Sequence, residues 1–427
     1  MLECGHYSSV TLNSMDQFLS ACGRRIQFPV GGILVQTARA QGARINATVG
    51  VALRDDRLPM GLPSLEGSLG VPPADALLYA PSHGKLLLRK LWGELLHTKN
   101  PSLQGPVSMP VVVAGLTHGL RIAAELFLDP GDDLILAEPY WENYDLVFQD
   151  LSQARLRSFP LFDGQSFNSA GLRAALRRGS RKKVLLLNFP NNPTGYAPLF
   201  EEACEICAII RECAEEGSDV VVLVDDAYFG LVYEEGILRE SLFALLVSLH
   251  ERVLVVKIDG SSKEDYAWGL RVGFLTYGGN GLKQEELRVL EDKTAAIIRG
   301  TLSNVSHLSQ SVVLCTLQST TYWEERRANA VVLELRFRAA WTSANGAASS
   351  VSFRVLPCNA GYFLCLELCN GLSAGTVQER LLNEHGIGVV TVGERLLRVA
   401  FSAIPEADIP DVFRSIAQVC SSYSFLV

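Results

Sequence analysis

The sequence predicts an α/β protein: a large, mostly parallel sheet of the seven-stranded type, covered by helices on both faces, followed by a smaller α/β domain. Three observations predict it. Short apolar runs such as VLLL in KKVLLLNFP, VVVLV in DVVVLVDDAY and VLVV in RVLVVKIDG do not alternate, as expected of strands buried on both faces. Segments with helical periodicity, among them GLRIAAELFL, AGLRAALRRG and EEACEICAIIRECAEEG, separate those runs. Near residue 320 the alternation gives way to one long charged helix and a new set of short strands.

Taken in order, the residues up to about 70 are punctuated by Gly and Pro, and INATVGVALRDDRLPMGLPSL reads as a loop or short hairpin. KLLLRKLWGELL repeats its apolar residues at helical spacing. VSMPVVVAG, DDLILAEP, ARLRSFPL, KKVLLLNFP, DVVVLVDDAY, RVLVVKIDG and RVGFLTYG then read as strands, with YDLVFQDLS a helix or loop between two of them. TYWEERRANAVVLELRFRAAWTSAN is the long helix; VSFRVLPCNAGYFLCLEL, a helix around TVQERLLNEHG, IGVVTVG and LLRVAFSA follow it. The division expected is an N-terminal segment, 1–75, that joins the smaller domain and dimer contacts, a large domain over 76–320 and a small C-terminal domain over 321–427. No tandem repeat or low-complexity tract interrupts it.

The composition excludes several classes. Hydrophobic content of 48% with 20% charged residues is that of a globular chain, and a formal net charge of −8 argues against a general nucleic-acid binder. No apolar run is long enough to span a bilayer. The start, MLECGHYSSVTLNSMDQF, has neither a basic beginning nor an apolar block, so a cytoplasmic protein is expected. Ten cysteines scattered through the chain suit reduced thiols. Cys204 and Cys207 form a C-x-x-C pair, but no second Cys/His pair follows at ligand spacing and the surroundings are helical, so no metal is expected.

Ligands of such sheets gather at the carboxyl ends of the strands, and here those ends are polar. AGLTHGL turns into a helix whose first amides, at Leu116 and Thr117, could hold an anion, or it is only a tight connection. PYWENY offers Trp141 to a flat heterocycle or to a loop's underside. NNPTG projects Asn192 from a rigid turn. In DDAY, two carboxylates at the end of an apolar strand call for a cationic partner for at least one of them, and Asp225 and Tyr228 could address one ring, or the aspartates cap a helix, which suits Asp226 better than Asp225. DGSSKEDYAWGLRVG places Lys263 at a strand exit and Arg271 a short way beyond it.

NNPTG, DDAY, SSK followed by GLRVG, and LLRVAFS, in this order, resemble the class I and II aminotransferases of the aspartate-aminotransferase superfamily, fold-type I enzymes dependent on pyridoxal 5′-phosphate. The resemblance runs from about Asn46 to the C-terminus. It implies that Lys263 forms a Schiff base with the cofactor and later moves the proton at Cα, with Asp225 at the ring nitrogen. Asn192 and Tyr228 would address the ring's phenolic oxygen and Trp141 its face. Arg271, the Leu116 and Thr117 amides and Ser261 or Ser262 would hold the phosphate. Arg398, with Asn192 and Gly50 nearby, would grip the substrate carboxylate. Tyr79 would reach a neighbouring subunit's site in a homodimer, and Arg299 corresponds to an arginine for a distal carboxylate or lies in an interface.

The reaction so implied passes through an external aldimine and a Cα carbanion, with transfer of the amino group to a 2-oxo acid. Elimination, replacement or carbon–carbon bond formation on the same fold, with a substrate such as S-adenosylmethionine, is the alternative. Two departures from the family pattern stand out: Gly260, where many relatives have a phosphate-binding serine, and KEDYAW, between the lysine and the arginine.

Overall fold

The computed structural model describes residues 16–29, 31–348 and 353–422. Most of the N-terminal stretch that bears on targeting lies outside the described residues. The large sheet comprises β1 (Val111–Val113), β2 (Asp133–Glu138), β3 (Arg155–Pro160), β4 (Lys182–Asn188), β5 (Asp219–Asp225), β6 (Val253–Gly260) and β7 (Gly273–Gly278). Its seven strands lie in the order β1-β7-β6-β5-β4-β2-β3. The pairs β6–β5, β5–β4, β4–β2 and β2–β3 are parallel, while β7 runs antiparallel to both β1 and β6.

The missing alternation in these strands has a direct cause. Successive side chains point to opposite faces, and both faces are covered. Leu134, Leu136, Leu186 and Leu223 enter one core, whereas their neighbours Ile135, Leu185, Leu187, Val222 and Val224 enter another. Helix α1 (Leu86–Lys99) and helix α2 (Leu116–Phe127), through Leu116, Leu120 and Ile122, pack into the first core. Helix α3 (Phe200–Glu215) closes the second with Ala203, Ile206, Cys207 and Ile210. Cys204 lies exposed on this helix while Cys207 and Cys213 are buried.

Helices α4 (Gln284–Thr301) and α5 (Tyr322–Ala348) lead to an antiparallel four-stranded sheet of β8 (Phe353–Val355), β9 (Phe363–Leu368), β10 (Val390–Val392) and β11 (Leu396–Ala400), ordered β8-β9-β11-β10. The N-terminal segment reaches this region: Ile45–Asn46 pairs in parallel with Ile387–Gly388, and Ala400 N–H donates to Ala47 O at 2.9 Å. Within INATVGVALRDDRLPMGLPSL, Leu53 and Pro59 form an isolated antiparallel bridge, which makes the segment a short hairpin-like turn. The stretch before it contains a helix, Ile33–Arg39, that Gly/Pro punctuation had concealed. YDLVFQDLS winds as a π-helical turn over Asp145–Asp150, with Leu151 N–H donating back to Leu146 O at 3.0 Å. Among the described residues no helix is long and apolar enough to cross a membrane.

Candidate active site

Strands β4, β5 and β6 are parallel and end together, so Asn188, Asp225 and Gly260 bring the chain exits that follow them to one edge of the sheet. There a cavity of about 180 Å³ is lined by residues from these exits and from β9, β11 and the N-terminal segment. Its groups sort into an end where an arginine meets the start of α2, a floor with a carboxylate and an amine, and an arginine at the far strand.

At the α2 end, Gly115 has φ +77°, a positive φ that glycine adopts without strain, and delivers the chain into α2. A Cβ at this position would run into Arg271 Nη2, so glycine is what lets the guanidinium lie against the start of the helix. Arg271, itself at φ +54°, donates to Trp268 O at 3.1 Å and approaches Ser262 Oγ at 3.5 Å. Leu116, Thr117, Ser262 and Arg271 all line the cavity. Ser261 does not; its Oγ is buried without a hydrogen-bond partner. Gly260, too, has a steric explanation: a Cβ there would come within 2.6 Å of Gly273 Cα and 2.7 Å of Val272 O on the adjacent strand. The pairing of β6 with β7 therefore leaves no room for a serine side chain at this position.

On the floor, Asp225 is 2% exposed; its Oδ2 accepts from Tyr144 O–H at 2.6 Å and its Oδ1 from Ala227 N–H at 3.1 Å. Burial raises its proton affinity, opposed by the Tyr144 hydrogen bond and the nearby Lys263. Asn188 Nδ2–H donates to Asp225 O at 3.0 Å, and Asn188 Oδ1 accepts from Asn192 N–H at 2.9 Å, which ties the NNPTG turn to this strand end. Lys263 Nζ lies 5.0 Å from the centroid of the Tyr228 ring. Desolvation brings this amine down to about 8, with Asp225 pulling the other way and Arg271 adding to the fall. Burial raises the Tyr228 phenol.

The cation that two adjacent buried carboxylates require is Lys257, and it belongs to Asp226 rather than Asp225, at 2.7 Å. Asp225 keeps one face toward the cavity. At the far strand, Arg398 is 2% exposed and donates to Asn192 Oδ1 at 3.1 Å and to Thr48 O at 2.9 Å, with its guanidinium carbon 4.1 Å from the Phe363 ring centroid. Its Nε is buried with no hydrogen-bond partner. A buried guanidinium with an unmatched donor beside a cavity is suited to receiving a carboxylate.

Of the residues singled out from the sequence, the cavity gathers Gly50, Leu116, Thr117, Trp141, Asn192, Asp225, Tyr228, Ser262, Lys263, Arg271 and Arg398. Tyr79 lies outside it and is 89% exposed, and Arg299 is exposed near the end of α4, with Nη1 3.4 Å from Ser303 Oγ. Sequence reading missed Ile33, Tyr144, Asn188 and Phe363, which also line the cavity. Tyr144 ends the YWENY phrase and Asn188 closes a strand, so both carried a positional signal; Ile33 and Phe363 arrive from distant segments and carried none.

The chain is 25% identical over 318 residues to the arginine-pyruvate transaminase AruH of Pseudomonas aeruginosa, which spans 73% of each chain. It is 27% identical over 318 residues to the L-glutamine-4-(methylsulfanyl)-2-oxobutanoate aminotransferase of Bacillus subtilis, spanning 69% of this chain and 73% of the relative. In fold it is similar to a crystal structure of an aminotransferase from Anaerococcus prevotii, with a TM-score of 0.83 at 24% identity, covering 94% of this chain and 100% of the other. The family description "Aminotransferase class I and II" matches residues 74–416. The chain therefore belongs to the class I and II aminotransferases, which transfer amino groups with pyridoxal 5′-phosphate as cofactor.

Proposed function

We propose that the cavity at the ends of β4, β5 and β6 is the transamination site, that Lys263 is its covalent anchor and proton carrier, and that the amino donor has an apolar or aromatic side chain. One observation carries the reading: an amine, a buried carboxylate and two arginines from three separate parts of the chain face a single cavity. The residues present fit the cofactor. Gly115 makes the space that Arg271 fills beside the α2 amides, a cradle for a phosphate, and the buried Asp225 suits a protonated ring nitrogen. Tyr228 and Asn192, which line the same cavity, would address the ring's phenolic oxygen, and Trp141 its face.

Bound pyridoxal 5′-phosphate supplies the electron sink that lets an α-amino acid lose its Cα proton. Lys263 Nζ, whose burial favours the neutral form, would take this proton and pass it to the cofactor carbon that receives it, with the reverse transfer in the second half of the exchange. Arg398, steadied by Asn192 and Thr48 O, fixes the substrate carboxylate and so the direction in which the Cα–H bond points. The uncharged part of the wall is built by Ile33, Gly50 and Phe363, which supports the apolar donor class. The exposed Leu77, Leu78 and Tyr79 supply an apolar surface suited to a homodimer contact.

Borohydride reduction of the loaded protein should fix the cofactor mass on the peptide containing Lys263; an unmodified Lys263 peptide from protein that retains cofactor would overturn the assignment. Incubation with leucine, phenylalanine, aspartate or glutamate plus a 2-oxo acid should yield a new amino acid fastest with the first two. Faster reaction with aspartate or glutamate would reject the donor class and bring Arg299 into the site. Release of ammonia without a new amino acid would reject transamination as the principal reaction.

A further inference from the structure

Lys263 sits in a helical turn of only four residues, Ser261–Glu264, which is too short to hold its own place. What fixes the turn lies on the side away from the cavity. The Glu264 side chain is 1% exposed, and its Oε1 accepts from Lys99 Nζ at 2.5 Å and from Arg326 Nη2 at 3.2 Å. Arg326 also donates through Nε to Glu264 O at 3.1 Å, so one guanidinium grips both the side chain and the backbone of the residue next to Lys263. Asp265 adds a second buried carboxylate, accepting from Tyr322 O–H at 2.7 Å. Lys99 is the last residue of α1, and Arg326 lies in the first turns of α5, so the turn is pinned between two helices far apart in sequence.

A parallel arrangement lies below Asp225. The next residue, Asp226, is buried and paired with Lys257, which also meets Asp259 at 2.6 Å. The two clusters touch through aromatic rings. Lys99 Nζ lies 4.4 Å from the Trp92 centroid and 5.8 Å from that of Phe229, and Lys257 Nζ lies 5.0 Å from Phe229. Trp92 Nε1–H donates in turn to Asp259 Oδ1 at 3.2 Å. Buried ion clusters seldom add net stability, because desolvation offsets their attraction; fixing one geometry is what such a cluster can supply.

We propose that Lys99 and Arg326 act on the reaction through Glu264, clamping the turn that carries Lys263 and holding its amine at the Tyr228 face of the cavity. Glu264, Lys99 and Arg326 are thus positioning residues, and their effect on catalysis rests on Lys263 being the cofactor anchor. The charged and titratable groups around the Lys263 amine are Asp225, Tyr228 and Arg271. Those around Glu264 are Lys99 from α1, Arg326 and Tyr322 from α5, Lys257 from β6, and Asp265. Burial pushes the Glu264 carboxyl up, but Lys99, Arg326 and Lys257 together hold it below its ordinary value, so it is the charged partner of the clamp.

Two readouts test this. In the full-length, cofactor-loaded enzyme, Lys99→Met, Glu264→Gln and Glu264→Asp should each lower kcat by about tenfold to a hundredfold, with KM changing less than about threefold, because a small misplacement of the base affects the chemical step. In the cofactor-free protein, the pH midpoint for reductive methylation of Lys263, read from its peptide mass, should stay within about half a unit of the parent in all three variants, because Asp225 and Arg271 are the charges that act on this amine. Parental kcat in Glu264→Asp, or a loss of kcat that follows a shifted midpoint, would overturn the proposal. Should Lys99→Met not fold, Glu264→Asp and Glu264→Gln decide it alone. The methylation midpoint needs no cofactor, so its outcome is separate from the borohydride test of Lys263 as anchor.

Discussion

Arg398 illustrates how a single side chain becomes committed to a ligand. Two of its nitrogens are used by Asn192 and Thr48 O, its plane covers Phe363, and Nε is left buried and unmatched. Replacement by alanine should raise KM for the amino donor by about tenfold to a hundredfold, the range of one lost charge-assisted hydrogen-bonded pair, while the dissociation constant of the cofactor stays within about threefold. Equal losses of both would assign Arg398 to the framework. Lys263 makes a different prediction, about pH. Its folded value of about 8 lies below the ordinary 10.5, so between these values the unfolded chain binds more protons and stability rises with pH. The cost of the buried ammonium is complete below the folded value. Cofactor-free Lys263→Met should therefore be more stable than the parent near neutrality, with the difference shrinking as pH approaches the unfolded value; urea unfolding across that range measures it.

At the scale of elements, the site depends on how closely strands approach at their ends. Gly260 faces Gly273 across the β6–β7 pair, where the backbone occupies the space of a side chain. Gly260→Ser should destabilise the protein by about 1–3 kcal/mol through overpacking and should not tighten cofactor binding. A stable variant with improved affinity would show that the phosphate could use a serine there. The same pairing explains why this departure from the family pattern was legible in sequence but its meaning was not: the residue opposite Gly260 follows from register. The strands themselves were readable because burial on both faces removes alternation, whereas the helix Ile33–Arg39 was hidden by the glycines and prolines around it.

Across the whole molecule, the N-terminal segment, α5 and the end of β11 are joined by one buried arginine. Arg336 donates from Nη1 to Leu53 O and Ser402 O, each at 2.6 Å, and from Nη2 to Asp55 Oδ1 at 2.9 Å, with its side chain 1% exposed. Arg336→Met would strand two carbonyls and should cost about 2–4 kcal/mol in denaturant unfolding of the full chain. Because Gly50, Thr48 and Arg398 lie along this junction, KM for the amino donor should rise as well. Unchanged stability would mean that water replaces the guanidinium without penalty.

The order of motifs along the chain was enough to identify the sheet and the family, and to single out most of the residues that line the cavity. Each of these depends on short-range patterns: a buried run, a turn, and a polar residue at its end. The choice of Ser262 over Ser261, the partnership of Asp225 with Tyr144, the closure by Ile33 and Phe363, and the clamp of Lys99 and Arg326 on Glu264 were decided by tertiary structure alone. These are contacts between segments separated by tens to hundreds of residues, and only packing determines which side of a turn faces the cavity and which faces a buried charge.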